Sequence, residues 1–156
     1  MKNRNVVSHK QRIDSVFAMA GKHGGDDELL NHLSRYLCVL VSGFIEVSVQ
    51  VLVAEFLGPR ATPAVARFAA CRVDRFTNAN SDKIVKLIQE FGEEHGSRFS
   101  LAILGEMKDA IDGVVNVRHA IAHGKSVGIG FVAMQNYYKN VVRAVEELER
   151  LLEQLK

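Results

Sequence analysis

The sequence predicts an all-α protein, an up-down helical bundle of about five to six helices. Three observations carry this. The last stretch places Met134, Tyr138, Val141, Val145, Leu148, Leu152 and Leu155 at alternating spacings of four and three, a seam like that of helix bundles. Tyr36 to Leu57 is apolar almost all round, as in a helix at the centre of a core. The only two prolines, Pro59 and Pro63, fall together between Gly58 and Ala64 and leave the rest free to run as long helices. At 156 residues and 47% hydrophobic content, the chain suits one domain with a sizeable core. Residues 1–25 read as an N-terminal helix or extension and 27–156 as the core bundle.

Taken in order, Ser8 is the candidate cap of a first helix reaching about Ala20, which Gly21 through Gly25 would end. A long second helix follows from Asp26 or Asp27 to Leu57. Ser42, Glu46, Ser48, Gln50 and Glu55 interrupt its apolar surface, which favours a core helix over a membrane span because carboxylates in hydrocarbon are costly. The third helix, Pro63 to Phe76, takes Pro63 in its first turn and projects Arg67, Arg72 and Arg75. Asn80 or Ser81 caps a fourth helix through Glu93, with Ile84, Leu87, Ile88 and Phe91 as its stripe and Gly96 as its end. A fifth begins at Ser97 or Ser100 and carries Ala110, Ile111, Val114, Val115, Val117 and Ile121 at helical spacing. It contains Gly105 and Gly113, which cost stability in a helix interior unless another helix packs close, so close contact is expected at both. The final seam lasts only about three heptads, which favours packing within the chain over an intermolecular coiled coil.

Composition restricts the chemistry. A formal net charge of +2 and a pI near 8.6 permit contact with nucleic acid without demanding it, so RNA would have to be met by a local basic patch. Arg67, Arg72 and Arg75 are either that patch or ordinary surface arginines. Cys38 and Cys71 lie in apolar helical patterns without C-x-x-C or metal-ligand spacing and read as reduced core thiols. His9, His23, His32 and His95 form no metal-like cluster and read as surface residues. No metal and no cofactor is expected. Nothing at the N-terminus resembles a secretion signal, which points to the cytoplasm.

The chemically richest string is Arg118-His119-Ala120-Ile121-Ala122-His123-Gly124. Arginine stays charged at physiological pH and presents a planar fork of donors matched to phosphate oxygens. Histidine titrates near neutrality and exchanges protons there. One group holds an anion and the other moves a proton. Gly124 fits the left-handed position that ends helices, which puts His123 in the last turn or just beyond it. Arg4 and His9 repeat the spacing near the N-terminus, where chains are usually poorly ordered, and that match reads as chance. Context separates the two.

R-H-A-I-A-H-G after one helix and before another amphipathic helix resembles the R-x4-6-H motif of HEPN domains, whose usual form is R-N-x-x-A-H. From about Asp27 to the C-terminus, including Gly43-Phe44-Ile45-Glu46 in the long helix, the chain resembles the RiboL-PSP branch of that superfamily. The resemblance implies an all-helical, dimerising domain that often serves as a metal-independent endoribonuclease in toxin, phage-defence or RNA-processing systems. It implies Arg118 and His123 as the catalytic pair. His119 stands where Asn is usual.

The remaining candidates have two readings each. Glu46 either orients Arg118 across the bundle or is a solvated or purely structural carboxylate. His119 either binds phosphate or substrate or faces a neighbouring helix. Tyr137 and Tyr138 either stack a base or pack helices, packing being the better account of Tyr138. On an unbroken helix, residues five apart are rotated by about 140 degrees and do not face each other. Arg118 and His123 therefore need a local helix end, or pairing across a dimer. The expectation is a homodimeric ribonuclease that acts on RNA through its 2′-hydroxyl and leaves a 2′,3′-cyclic phosphate. The alternative is a non-catalytic helical module for dimerisation or for binding RNA, nucleotides or an antitoxin.

Overall fold

A computed structural model describes residues 1–23, 27–58, 61–125 and 127–155. Gly24, Gly25, Asp26 and Pro59, assigned above to helix ends, lie outside the described residues, as does the side chain of His23. The described residues form seven α-helices: α1 (Arg4–Ala20), α2 (Asp27–Leu57), α3 (Pro63–Val73), α4 (Ser81–Gln89), α5 (Glu93–Ala102), α6 (Glu106–Ala122) and α7 (Phe131–Gln154). A 3-10 turn, Gly21–His23, follows α1.

α1 starts earlier than Ser8. The Asn3 side chain accepts the N–H groups of Asn5 at 2.9 Å and Val6 at 3.0 Å, which satisfies two donors left open at the helix start. Val6, Ile13, Phe17 and Ala20 form its buried stripe. Arg4 and His9 therefore lie in an ordered helix, not in a loose terminus. His9 is not a surface residue either: it is half-buried, its ring edge-on to Phe44 with centroids 5.8 Å apart. His95 is likewise half-buried, whereas His32 is exposed.

α2 is long and apolar enough to cross a membrane by length and composition, yet 56% of its most apolar window is buried inside the bundle. Leu37, Val41, Phe44, Ile45, Val49, Leu52 and Val53 meet α1, α6 and α7 in one core. On α7, Met134, Tyr138, Val141, Val145, Leu148 and Leu152 are buried in that same core, so the seam does pack within the chain. Large apolar side chains buried this fully contribute about 1.5–3 kcal/mol each.

The middle of the chain divides differently from the sequence expectation. α3 stops at Val73, and residues 74–80 form a loop. α4 ends at Gln89 and α5 begins at Glu93, so Gly96 is a buried interior residue of α5. The fifth predicted helix is broken at Gly105, whose φ of +83° costs a glycine little and other residues much. Gly105 is thus a turn residue with open space beside it. Gly113 does mark close contact: a Cβ there would lie 2.8 Å from Cζ of Tyr137 on α7. This extra break makes seven helices out of five to six.

Candidate active site

α6 ends in a paired-carbonyl cap. His123 is the last near-helical residue, at φ −91° and ψ 14°, and Gly124 follows at φ +69°. The N–H of Gly124 bonds to Ile121 O and that of Lys125 to Ala120 O, each at 3.0 Å, the two bonds of a Schellman motif. Gly124 occupies the left-handed position expected of it. His119 and His123 are exposed one turn apart, with ring centroids 4.3 Å apart and ring planes inclined at 60°. From α2, Arg35 Nε donates to Val127 O at 2.9 Å and fastens the segment that leaves this cap.

One residue earlier on α6, Arg118 is half-buried and its Nη1 donates to the Asn78 side-chain oxygen at 3.2 Å. Asn78 belongs to the loop between α3 and α4 and has φ +52°, a conformation asparagine tolerates better than most residues. Its N–H donates to Glu46 Oε1 at 2.7 Å. One turn along α2, Gln50 donates to Phe76 O at 3.1 Å. On the far side, Asp112 of α6 accepts from Ser81 N at 2.9 Å and Ser81 Oγ at 2.8 Å. The loop is braced from two helices, and through it Glu46 bears on Arg118. Glu46 bonds the Asn78 backbone, not Arg118 itself, an arrangement that its orienting and its structural readings both accommodate.

Cys38 packs between α2 and α6, its Sγ 3.4 Å from Val114 O. Burial pushes its thiol up to about 11, against a smaller opposing effect of the Arg118 backbone, so it stays protonated and unreactive at neutral pH. Cys71, by contrast, is exposed on α3 and is not the core thiol expected of it. Among the described residues, no group of three or more His, Cys, Asp or Glu side chains is placed to hold a metal ion.

With this geometry in place, a family comparison decides the relationship: the RiboL-PSP-HEPN model matches residues 2–154 of the chain. The chain belongs to the RiboL-PSP-HEPN family. No curated protein and no solved structure matches it. The match reaches back to residue 2 and so includes α1, beyond the Asp27 limit of the sequence resemblance. HEPN domains are generally associated with ribonuclease activity, and they often dimerise and bind RNA.

Within this HEPN chain, the structure gathers some predicted residues and separates others. Arg118 is directed to Asn78 and His123 to His119, so the motif pair does not converge within one chain. The helix stays regular to Ala122, and its end does not remove the rotation of about 140 degrees between positions five apart. Arg67 and Arg72, also five apart, share no face of α3, and Arg72 is engaged with Glu90 at 2.7 Å. Arg75, exposed like the other two, differs in standing three residues before Asn78 on the bracing loop. Tyr138 is unavailable to a base: it is buried, stacked on Phe17 at 4.8 Å, and donates to Asp14 at 2.8 Å. Tyr137 is half-buried against Gly113.

Asn78 and Arg35 were missed by sequence reasoning. The string Thr77-Asn78-Ala79-Asn80-Ser81 carries a turn signal that hints at Asn78. Nothing local marks Arg35, because its partners lie 90 residues or more away.

Proposed function

We propose that this HEPN protein is a metal-independent endoribonuclease that works as a homodimer, with Arg118 and His123 as its catalytic residues. The observation that carries the proposal is the constrained guanidinium of Arg118 beside an exposed, imidazole-bearing helix end. His123 takes the proton of the RNA 2′-hydroxyl as that oxygen attacks the adjacent phosphorus. Arg118 holds the charged phosphoryl oxygens, and the departing 5′-oxygen takes its proton from solvent water. The products are a 2′,3′-cyclic phosphate end and a 5′-hydroxyl end. Arg75, exposed near the bracing loop, guides the RNA backbone; Arg67 and Arg72 are peripheral to that task.

Dimerisation answers the rotation between the two motif residues, since the partner's His123 can approach Arg118 across a two-fold axis. An outward strip of α2 supports it. Tyr36 is 54% and Val39 43% exposed, Leu40 is half-buried on the same face, and a Cβ at Gly43 would meet nothing within 4 Å. Arg35 borders that strip and ties it to the segment after His123. A role in the cytoplasm, in toxin, phage-defence or RNA-processing systems and with or without an antitoxin partner, suits such an enzyme.

The test is incubation of purified wild type, Arg118→Ala and His123→Ala with RNA and with its 2′-deoxy analogue, followed by mapping of the ends. Wild type is expected to leave cyclic phosphates on RNA alone and to be indifferent to EDTA. Each variant should cleave at least about a hundredfold more slowly while remaining folded. Equal behaviour of all three proteins, with RNA bound but uncut, would leave the non-catalytic binding module in its place.

A further inference from the structure

We propose that His119 and His123 together form a two-imidazole binding site for a borderline transition-metal cation, of which Zn²⁺ is the chosen probe, and that its occupancy shuts the ribonuclease off. The site rests on geometry alone; the consequence for catalysis rests on the ribonuclease reading.

Positions four apart on a helix lie on one face, one turn above the other. Here that relation holds for two imidazoles whose centroids are 4.3 Å apart. Both rings are exposed, and neither makes a hydrogen bond to another described residue that a metal would have to break. Binding requires side-chain rotations that bring one ring nitrogen of each to the roughly 2.0–2.1 Å of a Zn–N bond, with water filling the other positions. The same two-histidine spacing on a helix supplies two of the protein ligands in zinc metalloproteases.

The backbone beneath the pair is already held. His119 O accepts from His123 N at 3.1 Å, and the Gly124 and Lys125 bonds close the cap. Little chain freedom is lost on binding. The carbonyl end of α6 carries partial negative charge and favours a cation there. Within one chain, Arg118, the nearest fixed positive charge in sequence, is drawn off to Asn78, and Lys125 is exposed to solvent. Neutral nitrogen ligands select Zn²⁺, Ni²⁺ and Cu²⁺ and discriminate against Mg²⁺ and Ca²⁺, which take oxygen.

His119 stands where the HEPN motif usually has Asn, so the chelating partner comes from the position at which this chain departs from its family. A cation held there takes the lone pair of His123 that would otherwise accept the 2′-hydroxyl proton. The metal is then an inhibitor. Cleavage in EDTA continues, and trace zinc lowers it.

Calorimetry with Zn²⁺, and separately with Mg²⁺, on folded wild type, His119→Asn and His123→Asn tests the site without reference to activity. Wild type should bind one Zn²⁺ per chain and no Mg²⁺, and each variant should bind Zn²⁺ at least about tenfold more weakly. Zn²⁺ binding of equal strength in all three, or none in wild type, would overturn the site. Cleavage rates, each normalised to the same protein's rate in EDTA, test the consequence. Zn²⁺ should inhibit wild type and require at least about tenfold more metal to inhibit His119→Asn. Equal sensitivity would overturn the inhibition. Zn²⁺ binding by a wild type that cuts no RNA would leave the site standing and remove the ribonuclease reading instead.

Discussion

The Arg118 guanidinium is held by the Asn78 side-chain oxygen at 3.2 Å, a bond that spans 40 residues of sequence and joins α6 to the loop between α3 and α4. Asn78 is in turn held through its backbone by Glu46. Replacing Asn78 by glycine separates these two links. Glycine accepts φ +52° readily and keeps the N–H bonded to Glu46, so the loop should survive while Arg118 loses its acceptor. RNA cleavage by Asn78→Gly should fall by about ten- to a hundredfold, because misplacement by about 1 Å has effects of that size. Asn78→Asp retains an acceptor and should keep most activity. Unchanged cleavage by Asn78→Gly would mean that Arg118 is positioned by something else.

A composite dimeric site makes a quantitative prediction for mixed subunits. Arg118→Ala and His123→Ala, each inactive alone, should regain roughly a quarter of wild-type cleavage when mixed equally and allowed to exchange. Half of the dimers are then mixed, and one of the two sites in each is intact. Tyr36→Lys on the outward strip of α2 should shift sedimentation towards monomer and lower cleavage in parallel. No rescue in the mixture would place both residues of a working site on one chain.

Gly113 and Gly43 are both helical glycines, with opposite expectations. Gly113→Ala drives a Cβ to 2.8 Å from the Tyr137 ring and should cost about 1–3 kcal/mol, lowering Tm by several degrees. The same substitution at Gly43, where a Cβ meets nothing within 4 Å, should be neutral or stabilise the isolated chain by about 0.5–1 kcal/mol. Thermal melts of both at one protein concentration check this. A tolerant Gly113→Ala would show that Tyr137 moves aside freely.

His9 predicts a pH effect unrelated to the site. Burial, and secondarily the Arg12 charge, lower its pKa below the ordinary value. The unfolded chain therefore takes up this proton more readily than the folded one. The associated stability is present above about pH 6.5, the unfolded value, and is lost as pH falls from there through the lowered folded value. Urea midpoints should drop between pH 7.5 and 5.5 in wild type, and less steeply in His9→Phe, which keeps an aromatic contact with Phe44. Parallel slopes for the two proteins would count against the assignment.

The helical class, the central α2, the seam of α7 and the cap at Gly124 could all be read from the amino-acid sequence, because each follows from periodicity or from the conformational preference of a single residue. The motif residues could be named from the same information. Helix ends near Gly92, Gly96 and Gly105 could not, since a glycine that breaks a helix and one that is packed inside it look alike until the neighbouring side chain, Gln89 or Tyr137, is in place. The surroundings of the motif were decided only by the tertiary structure. Asn78 meets Arg118, Glu46 meets Asn78 and Arg35 meets Val127 over separations of 32 to 92 residues, and no local pattern encodes them. Those contacts arise because burying the apolar faces of α2, α6 and α7 together leaves their polar flanks side by side, which is why a motif of seven contiguous residues needs the whole bundle to set its surroundings.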